Sequence, residues 1–257
     1  MRGVSDSATA EQSFGYVYLA SITFFYPTSP RATRSPIMNL DDFVDSHAPT
    51  ENGQAFELEN SKLLDISLDG SVMAKAGSMT GYTGDISFER KSSGGLTGML
   101  KKKATGEGAV MMEATGTGHL YLADQGKEVQ ILELDADDEI SVNGNDVLAF
   151  ENGIDWDIKM LSSIAGASTG GLFNVFLRGP GRVAVTTHGK PLVVPTPVST
   201  DPNATVAWSS NVSPSSKRDI NLKSVLGRSS GETYQLHFAE EGGFVVIQPY
   251  EERQPGQ

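Results

Sequence analysis

Four histidines, His47, His119, His188 and His237, are the residues best suited to metal binding or proton transfer near neutral pH. No two of them form an HxH pair, and none lie three or four residues apart on a predicted helix. The spacing therefore predicts no metal site and favours isolated surface histidines. A site that three of them form only in the folded chain stays an open alternative.

Two glutamates could act as a general acid and base. Glu107 and Glu232 each follow a glycine, Gly106 and Gly231, in two segments of similar pattern. Such a pair could exchange a proton with a substrate. A carboxylate that accepts backbone N–H bonds at the start of a strand explains the repetition better. We therefore predict a structural role for both and no catalytic residue.

Two charged runs could bind ions or polyanions. Residues 135–139 (DADDE) lack the spacing and the glycine of an EF-hand calcium loop, so a solvated hairpin turn is expected. Residues 101–103 (KKK) lie in a connection rich in glycine and serine, where a solvated loop is expected. We predict no cofactor at either run.

The composition narrows the possible functions. The chain has 257 residues, with 32 Asp and Glu, 20 Lys and Arg, a formal net charge of -12, and no cysteine. The negative charge argues against general nucleic-acid binding, which needs cations to displace counterions. The lack of cysteine excludes disulfides, thiolate metal sites and cysteine nucleophiles. The length suffices for one large domain with a sizeable core.

The glycine-rich motifs GTG (116–118) and GPG (179–181) could be mistaken for phosphate loops. Phosphate loops lead into a helix N-terminus, whereas these motifs lead into runs typical of strands. Tight turns between strands are the better interpretation. The full set of residues that we assign to structural motifs is Gly77, Gly106, Glu107, Gly116, Gly118, Gly179, Gly181, Gly231, Glu232 and Gly243.

Short runs of alternating or β-branched residues predict an all-β domain. Turns are predicted at Asp69-Gly70, Asn143-Gly144, Asn152-Gly153 and His188-Gly189. The best helical pattern, at residues 96–103, is short, so a parallel α/β fold is not expected. The predicted strands include 63–68, 119–123, 129–134, 147–150, 174–177, 182–187, 205–208, 234–238 and 244–248.

Three segments of similar pattern begin at Gly106, Thr169 and Ser230. Each is predicted to form a strand, a glycine-rich hairpin and a second strand. The first two align without gaps, so that GTG matches GPG. Internal repetition of this kind favours three related lobes around a pseudo-threefold axis.

The predicted organisation is an extension outside the fold (1–37), a single all-β domain with internal repeats (38–250) and a tail (251–257). The extension contains FGYVYLASITFF, which is shorter than the roughly 20 apolar residues of a membrane-spanning helix. Acidic residues precede it where a signal peptide is basic. Stable membrane insertion is therefore not expected, and a weak signal or anchor role is the alternative.

Several motifs follow one another along residues 56–248, among them FELENSKLLDISLDGSVMAKAGSM, GTGHLYL, NDVLAFENGIDWDI, FNVFLRGPGRVAVTTHG, TVAWSSNV and GGFVVIQ. Their order and spacing resemble the altered inheritance of mitochondria protein 24 family. The resemblance implies a fold like that of the tryptophan RNA-binding attenuation protein (TRAP), which is related to double-stranded β-helices. It implies no known catalytic residues. Yeast relatives associate with the mitochondrial inner membrane, and prokaryotic relatives look soluble and intracellular.

We therefore expect an all-β fold of the double-stranded β-helix or TRAP-like sandwich type in a cytoplasmic protein. The favoured function is non-enzymatic, through binding or self-assembly. The expected partners are copies of the chain, another protein or a small ligand. One alternative is an enzyme or ligand-binding protein with a pocket near the pseudo-threefold axis. The other is RNA binding, which rests on analogy with the fold alone.

Overall fold

A computed structural model describes five stretches of the chain. They are residues 37–50, 52–91, 111–161, 172–217 and 235–251. The chain divides into two compact units, residues 1–48 and 49–257.

The first unit contains a short helix, α1 (Leu40–Ser46). Asn39 caps it, because its Oδ1 accepts a hydrogen bond from the backbone N of Asp42 at 2.8 Å. Asp41 and Asp42 place negative charge in the first turn, where the helix dipole favours it. Nowhere in the described stretches is a helix long and apolar enough to cross a membrane.

The second unit is built from antiparallel strands. In chain order these are β1 (Phe56–Asn60), β2 (Leu63–Lys75), β3 (Met79–Lys91), β4 (Met111–Leu122), β5 (Glu128–Leu134), β6 (Glu139–Asn143), β7 (Val147–Glu151), β8 (Asp155–Leu161), β9 (Leu172–Arg178), β10 (Gly181–Thr187), β11 (Leu192–Pro195), β12 (Val198–Thr200), β13 (Thr205–Ser209), β14 (Pro214–Lys217), β15 (Gln235–Phe238) and β16 (Phe244–Ile247). The predicted all-β class is confirmed. Each of the nine predicted strand runs coincides with a strand wherever the structure describes it, except that Ala123 and Gln248 at the ends of two runs lie just outside.

The strands form three sheets. The first sheet has the order β3-β4-β2-β7-β10-β5, with β1 also paired to β2. The second has the order β11-β16-β13-β6-β9-β8, and the third has the order β12-β15-β14. After β4 the chain passes from one sheet to another at most of its turns, so sequential strands usually lie in different layers.

Three apolar clusters fill the fold. All buried members of the first cluster, such as Leu64, Leu120 and Ala184, belong to strands of the first sheet. A hydrogen bond from Val129 N to Ser61 O at 2.8 Å joins β5 to the turn after β1, so the sheet curves over its own apolar face. The second cluster lies between the first and second sheets, and the third lies between the second and third sheets.

Glycines in the strands β2, β3 and β4 correct two predicted turns. Asp69-Gly70 and Gly116 to Gly118 lie inside long strands and pair across β2 and β4. Gly116 and Gly118 each have φ of 146°, a region that L-residues rarely adopt. A Cβ atom at Gly118 would overlap the carbonyl oxygen of Thr83 on β3. These glycines therefore allow close backbone approach inside a sheet, and the predicted hairpin there is wrong.

The GPG motif makes a turn, but it is not the hairpin that the sequence suggests. It joins β9 in the second sheet to β10 in the first, and these two strands pair with other partners. The described part of the first repeat is a single strand, whereas the corresponding part of the second repeat spans two strands in two sheets. The predicted match between these two repeats therefore does not extend to their strand arrangement.

Candidate functional site

The outer face of β2, β3 and β4 carries rows of polar side chains, and we take this face as the candidate site. Residues alternate between the buried and outer faces, because successive side chains of a strand point to opposite sides. The register aligns three side chains in each row across β3, β4 and β2. The rows are Thr83, His119 and Ser67; Asp85, Thr117 and Asp69; and Ser87, Thr115 and Ser71.

An aspartate–histidine pair stands at one end of this face. Asp65 Oδ2 lies 3.0 Å from His119 Nδ1, and Oδ1 lies 3.1 Å from the same atom. Tyr121 stacks beside the imidazole, with ring centroids 6.3 Å apart. The Asp65 residue is only 3% exposed, whereas the His119 side chain is 38% exposed. The pair therefore has a buried carboxylate and an accessible imidazole.

Burial raises the pKa of the Asp65 carboxyl, because desolvation disfavours its charged form. The hydrogen bond and the charge interaction with His119 oppose this effect, and the acidic residues Glu59 and Glu57 reinforce it. A raised folded-state pKa means that this group favours folding below its unfolded pKa, and that the contribution is lost as pH rises through the folded value. Asp65 is thus held at an energetic cost near neutral pH.

A buried carboxylate that orients an exposed imidazole could support general-base chemistry. Ser67 and Thr83 are the hydroxyl residues directly across from His119 on the neighbouring strands. The Thr83 hydroxyl accepts a long hydrogen bond, 3.4 Å, from the backbone N of His119. The Thr83 hydroxyl therefore contacts the His119 backbone and not the imidazole. Asp65 fixes the orientation of the imidazole ring. Among the described contacts, no hydroxyl is hydrogen-bonded to this ring.

A second group of charges, the buried ion cluster, consists of Lys75, Asp124, Lys127 and Asp146. Lys75 Nζ lies 2.8 Å from Asp124 Oδ2, and Lys127 Nζ lies 2.8 Å from Asp146 Oδ1. Lys127 is 5% exposed and Asp146 is 1% exposed. Thr186 donates its hydroxyl to Asp124 Oδ2 at 3.2 Å. The cluster is electrically balanced and largely closed to solvent.

The buried ion cluster ties together the turns at one end of the first sheet. Both lysines also donate to the backbone oxygen of Asn145, Lys75 at 2.7 Å and Lys127 at 3.4 Å. Lys75 ends β2, Lys127 precedes β5, and Asn145 lies in the turn before β7. A buried charge is stable only when it is paired, so the cluster fixes how these turns meet. Its burial and mutual pairing suit a structural role.

The predicted motif glycines lie in separate places. Gly77 lies in the turn between β2 and β3 with φ of 90°. A Cβ atom at Gly179 would overlap the backbone oxygen of Asp135, and one at Gly243 would overlap the Val212 side chain. The structure therefore makes them elements of the fold and does not gather them at one site. Among the residues singled out in the sequence, those outside the described stretches are Gly106, Glu107, Gly231, Glu232 and the run 101–103.

The histidines do not converge within the described residues, where no group of His, Cys, Asp and Glu could hold a metal ion. His47 caps the end of α1, and the His188 ring packs at a tilt of 37° against Tyr250, with centroids 4.2 Å apart. His237 shares a hydrogen bond of 2.9 Å with the Ser199 hydroxyl. His119 lies at hydrogen-bonding distance from the Asp65 carboxylate.

The acidic run 135–139 forms a turn, although not within a hairpin, because β5 and β6 belong to different sheets. Asp135 N donates to the Asp138 carboxylate at 2.9 Å. Glu139 accepts from the Arg178 guanidinium at 3.1 Å. These carboxylates thus stabilise the turn and the adjacent strand pair.

The backbone edge of β3 is the other exposed feature of this region. Among the described strands, β3 pairs with β4 only and ends the strand order of the first sheet. It is 13 residues long and exposed over most of its length. Tyr82 and Phe88 are exposed on it and meet edge to face, with ring centroids 5.4 Å apart. The edge combines backbone groups that no other described strand pairs with and exposed aromatic side chains.

The sequence did not predict the Asp65–His119 pair or the buried ion cluster. Asp65 and His119 lie far apart in the chain, and the buried ion cluster joins turns from different parts of it. Strand alternation alone does not show which strands become neighbours. A weak signal existed in β2 and β4, where Asp65 interrupts the apolar run at the start of β2 and His119 directly precedes the apolar end of β4. It could identify the two residues as unusual but not as partners.

Comparison with known proteins identifies a family and solved structures of similar fold. The family model described as Mitochondrial biogenesis AIM24 matches residues 56–250. The X-ray crystal structure of a Streptococcus pyogenes protein, a structural genomics target, is similar at 21% sequence identity and a TM-score of 0.59. The alignment covers 76% of this chain and 92% of that one, which shows a shared fold. No curated protein shows significant sequence similarity to this chain.

Proposed function

This chain belongs to the family described as Mitochondrial biogenesis AIM24, and we propose that it is a non-enzymatic β-protein that binds another molecule or assembles with copies of itself. The proposal includes the cytoplasmic location and the TRAP-like arrangement of three lobes expected from the sequence. It favours assembly of the chain with itself over binding to nucleic acid.

The observation that carries the proposal is the contrast between the charged groups and the β3 edge. The buried ion cluster holds its charges in contact with one another, where a substrate has little access. No other described strand pairs with the far side of β3, so this edge presents a long row of backbone donors and acceptors. Such an edge pairs readily with another strand, so proteins that keep one exposed commonly use it for association.

A second function is favoured by the Asp65–His119 pair. A carboxylate with a raised pKa beside an accessible imidazole is the arrangement in the described residues that most resembles a catalytic or ligand-binding pair. A small polar ligand with a hydrogen-bond donor or acceptor could meet the exposed side of the His119 ring. Bound ligand at this position would make the chain a small-molecule-binding protein or an enzyme.

Native mass spectrometry of the purified full chain separates these functions. Self-assembly predicts masses that are multiples of 27.4 kDa and depend on protein concentration. A retained ligand predicts a constant added mass, which should disappear in His119→Ala if the ligand occupies the Asp65–His119 pair. A chain that stays monomeric over the whole concentration range, with no added mass and no captured protein, would contradict the proposal.

A further inference from the structure

The β3 edge lacks most of the features that usually prevent strand edges from pairing. Natural edges are short, carry proline, are interrupted by bulges or carry charged side chains. β3 has such charges at Asp85, Glu89, Arg90 and Lys91, and they are of both signs. β3 has 13 residues, no proline and one irregularity, between Met79 and Gly81 at its beginning. By contrast, β11 at the edge of the second sheet has four residues, ends in Pro195 and follows Pro191. Among the described strands, the first sheet therefore ends in an edge strand that is longer than β11 and has no proline.

The second half of β3 is complementary to itself. It reads DISFERK from Asp85 to Lys91. If two copies pair antiparallel with Phe88 opposite Phe88, Asp85 of each copy lies opposite Lys91 of the other. In an antiparallel pair, opposite residues lie on the same face, so these charges meet directly. The same register places Ser87 opposite Glu89, which are a hydroxyl and a carboxylate.

We propose that the β3 edge binds the β3 edge of a second copy in this register and forms a twofold-symmetric dimer with one continuous sheet. The inference deepens the proposed self-assembly and rests on it. Phe88 lies at the centre of the interface, and its ring packs edge to face against Tyr82 of its own chain. Association would cover apolar surface that is exposed in the single chain.

Neighbouring registers are less favourable. A twofold axis at Asp85 or at Glu89 would place that carboxylate opposite its own copy, and an axis at Ser87 would place Asp85 opposite Glu89. Like charges directly opposite each other destabilise a strand pair. An axis at Ile86 avoids this repulsion, but it gains no ion pair and extends across Gly84, where φ is 82°. An axis at Arg90 would pair Glu89 with Lys91 twice, but it would place two arginines directly opposite each other. The register centred on Phe88 joins opposite charges twice and places no like charges opposite each other over residues 85–91.

Cysteine crosslinking tests the register without background, because the chain has no cysteine of its own. In Phe88→Cys the two thiols lie directly opposite each other, where Cβ atoms of paired strands are roughly 5 Å apart. Mild oxidation of the full chain should convert most of the protein into a covalent dimer. Tyr82→Cys is the matched control, since its two copies would lie roughly 40 Å apart along straight strands. It should stay monomeric under the same oxidation.

The outcomes separate this interface from self-assembly in general. Selective crosslinking of Phe88→Cys supports the proposed edge pairing. Equal crosslinking of both variants, or none of either in folded protein, overturns it. If the wild-type chain forms multimers and folded Phe88→Cys does not crosslink, self-assembly stands and uses another surface. Asp85→Lys, which retains Phe88, gives an independent check because it should shift the wild-type dimer toward monomer.

Discussion

Gly118→Ala should destabilise the domain by about 3 kcal/mol or more, because two costs combine at this position. The residue has φ of 146°, which strains any side chain. The new Cβ atom would also overlap the Thr83 carbonyl oxygen, so β3 and β4 would have to separate. For a domain of this size the loss corresponds to a fall of roughly 6–12 °C in thermal midpoint. Thermal and denaturant unfolding measure it.

Two other glycines serve as controls for this prediction. Gly81 lies on the same strand pair, has no positive φ, and has its nearest neighbour, an atom of Tyr121, at 3.9 Å. Gly81→Ala should therefore stay within about 0.5 kcal/mol of the wild type. Gly181 has φ of 145°, but its nearest atoms are side-chain atoms at 3.1 Å, so Gly181→Ala should cost about 1–2 kcal/mol. Equal stability of Gly118→Ala and Gly81→Ala would refute the close backbone approach.

Lys127→Met should cost about 3–5 kcal/mol, since it breaks a buried ion pair with Asp146. The methionine fills most of the space of the lysine stem, so the loss reports charge and not a cavity. Adding Asp146→Asn should recover part of the stability, because it removes the negative charge that Lys127 balanced. Chemical unfolding of the single and double variants provides the measurement.

The control for the buried ion cluster is an exposed lysine that also lies near an aspartate. Lys159 Nζ lies 4.0 Å from Asp157, and both side chains are more than half exposed. Lys159→Met should cost less than about 1 kcal/mol, as exposed ion pairs contribute little. A Lys127→Met protein as stable as Lys159→Met would show that the cluster does not hold the turns of the first sheet together.

The sequence predicts the strands well because alternation and β-branched residues are local signals. Runs such as 129–134 and 182–187 lie in strands as expected. The partners of each strand are not local. β5 and β6 follow each other across a short acidic turn and yet belong to different sheets, since each buries its apolar side chains in a different place.

The glycine motifs show why the site could be predicted only in part. Glycine at positive φ usually indicates a turn, and this holds for Gly77 and Gly189. At Gly116 and Gly118 the same conformation serves close packing of two backbones inside a sheet. Sequence alone does not distinguish these cases, because the neighbouring strand β3 supplies the constraint. The aspartate–histidine pair was missed for the same reason.

Mixing two oppositely charged variants shows whether two copies of the chain pair through β3. Asp85→Lys places lysines opposite each other in its own proposed dimer, and Lys91→Asp places carboxylates opposite each other in its own. A dimer of one copy of each variant restores both ion pairs. Circular dichroism should confirm that each variant is folded, since Lys91 also contacts Glu113 within the chain at 2.9 Å. Sedimentation velocity then gives the masses of each variant and of the mixture.

Pairing of the β3 edges predicts that each folded variant sediments mainly as a monomer of about the chain mass, 27.4 kDa, and that an equimolar mixture forms a dimer with one copy of each. The wild-type chain should dimerise at the same concentration. Pairing of the β3 edges is contradicted if both folded variants dimerise alone as well as the wild type does, or if their mixture stays monomeric.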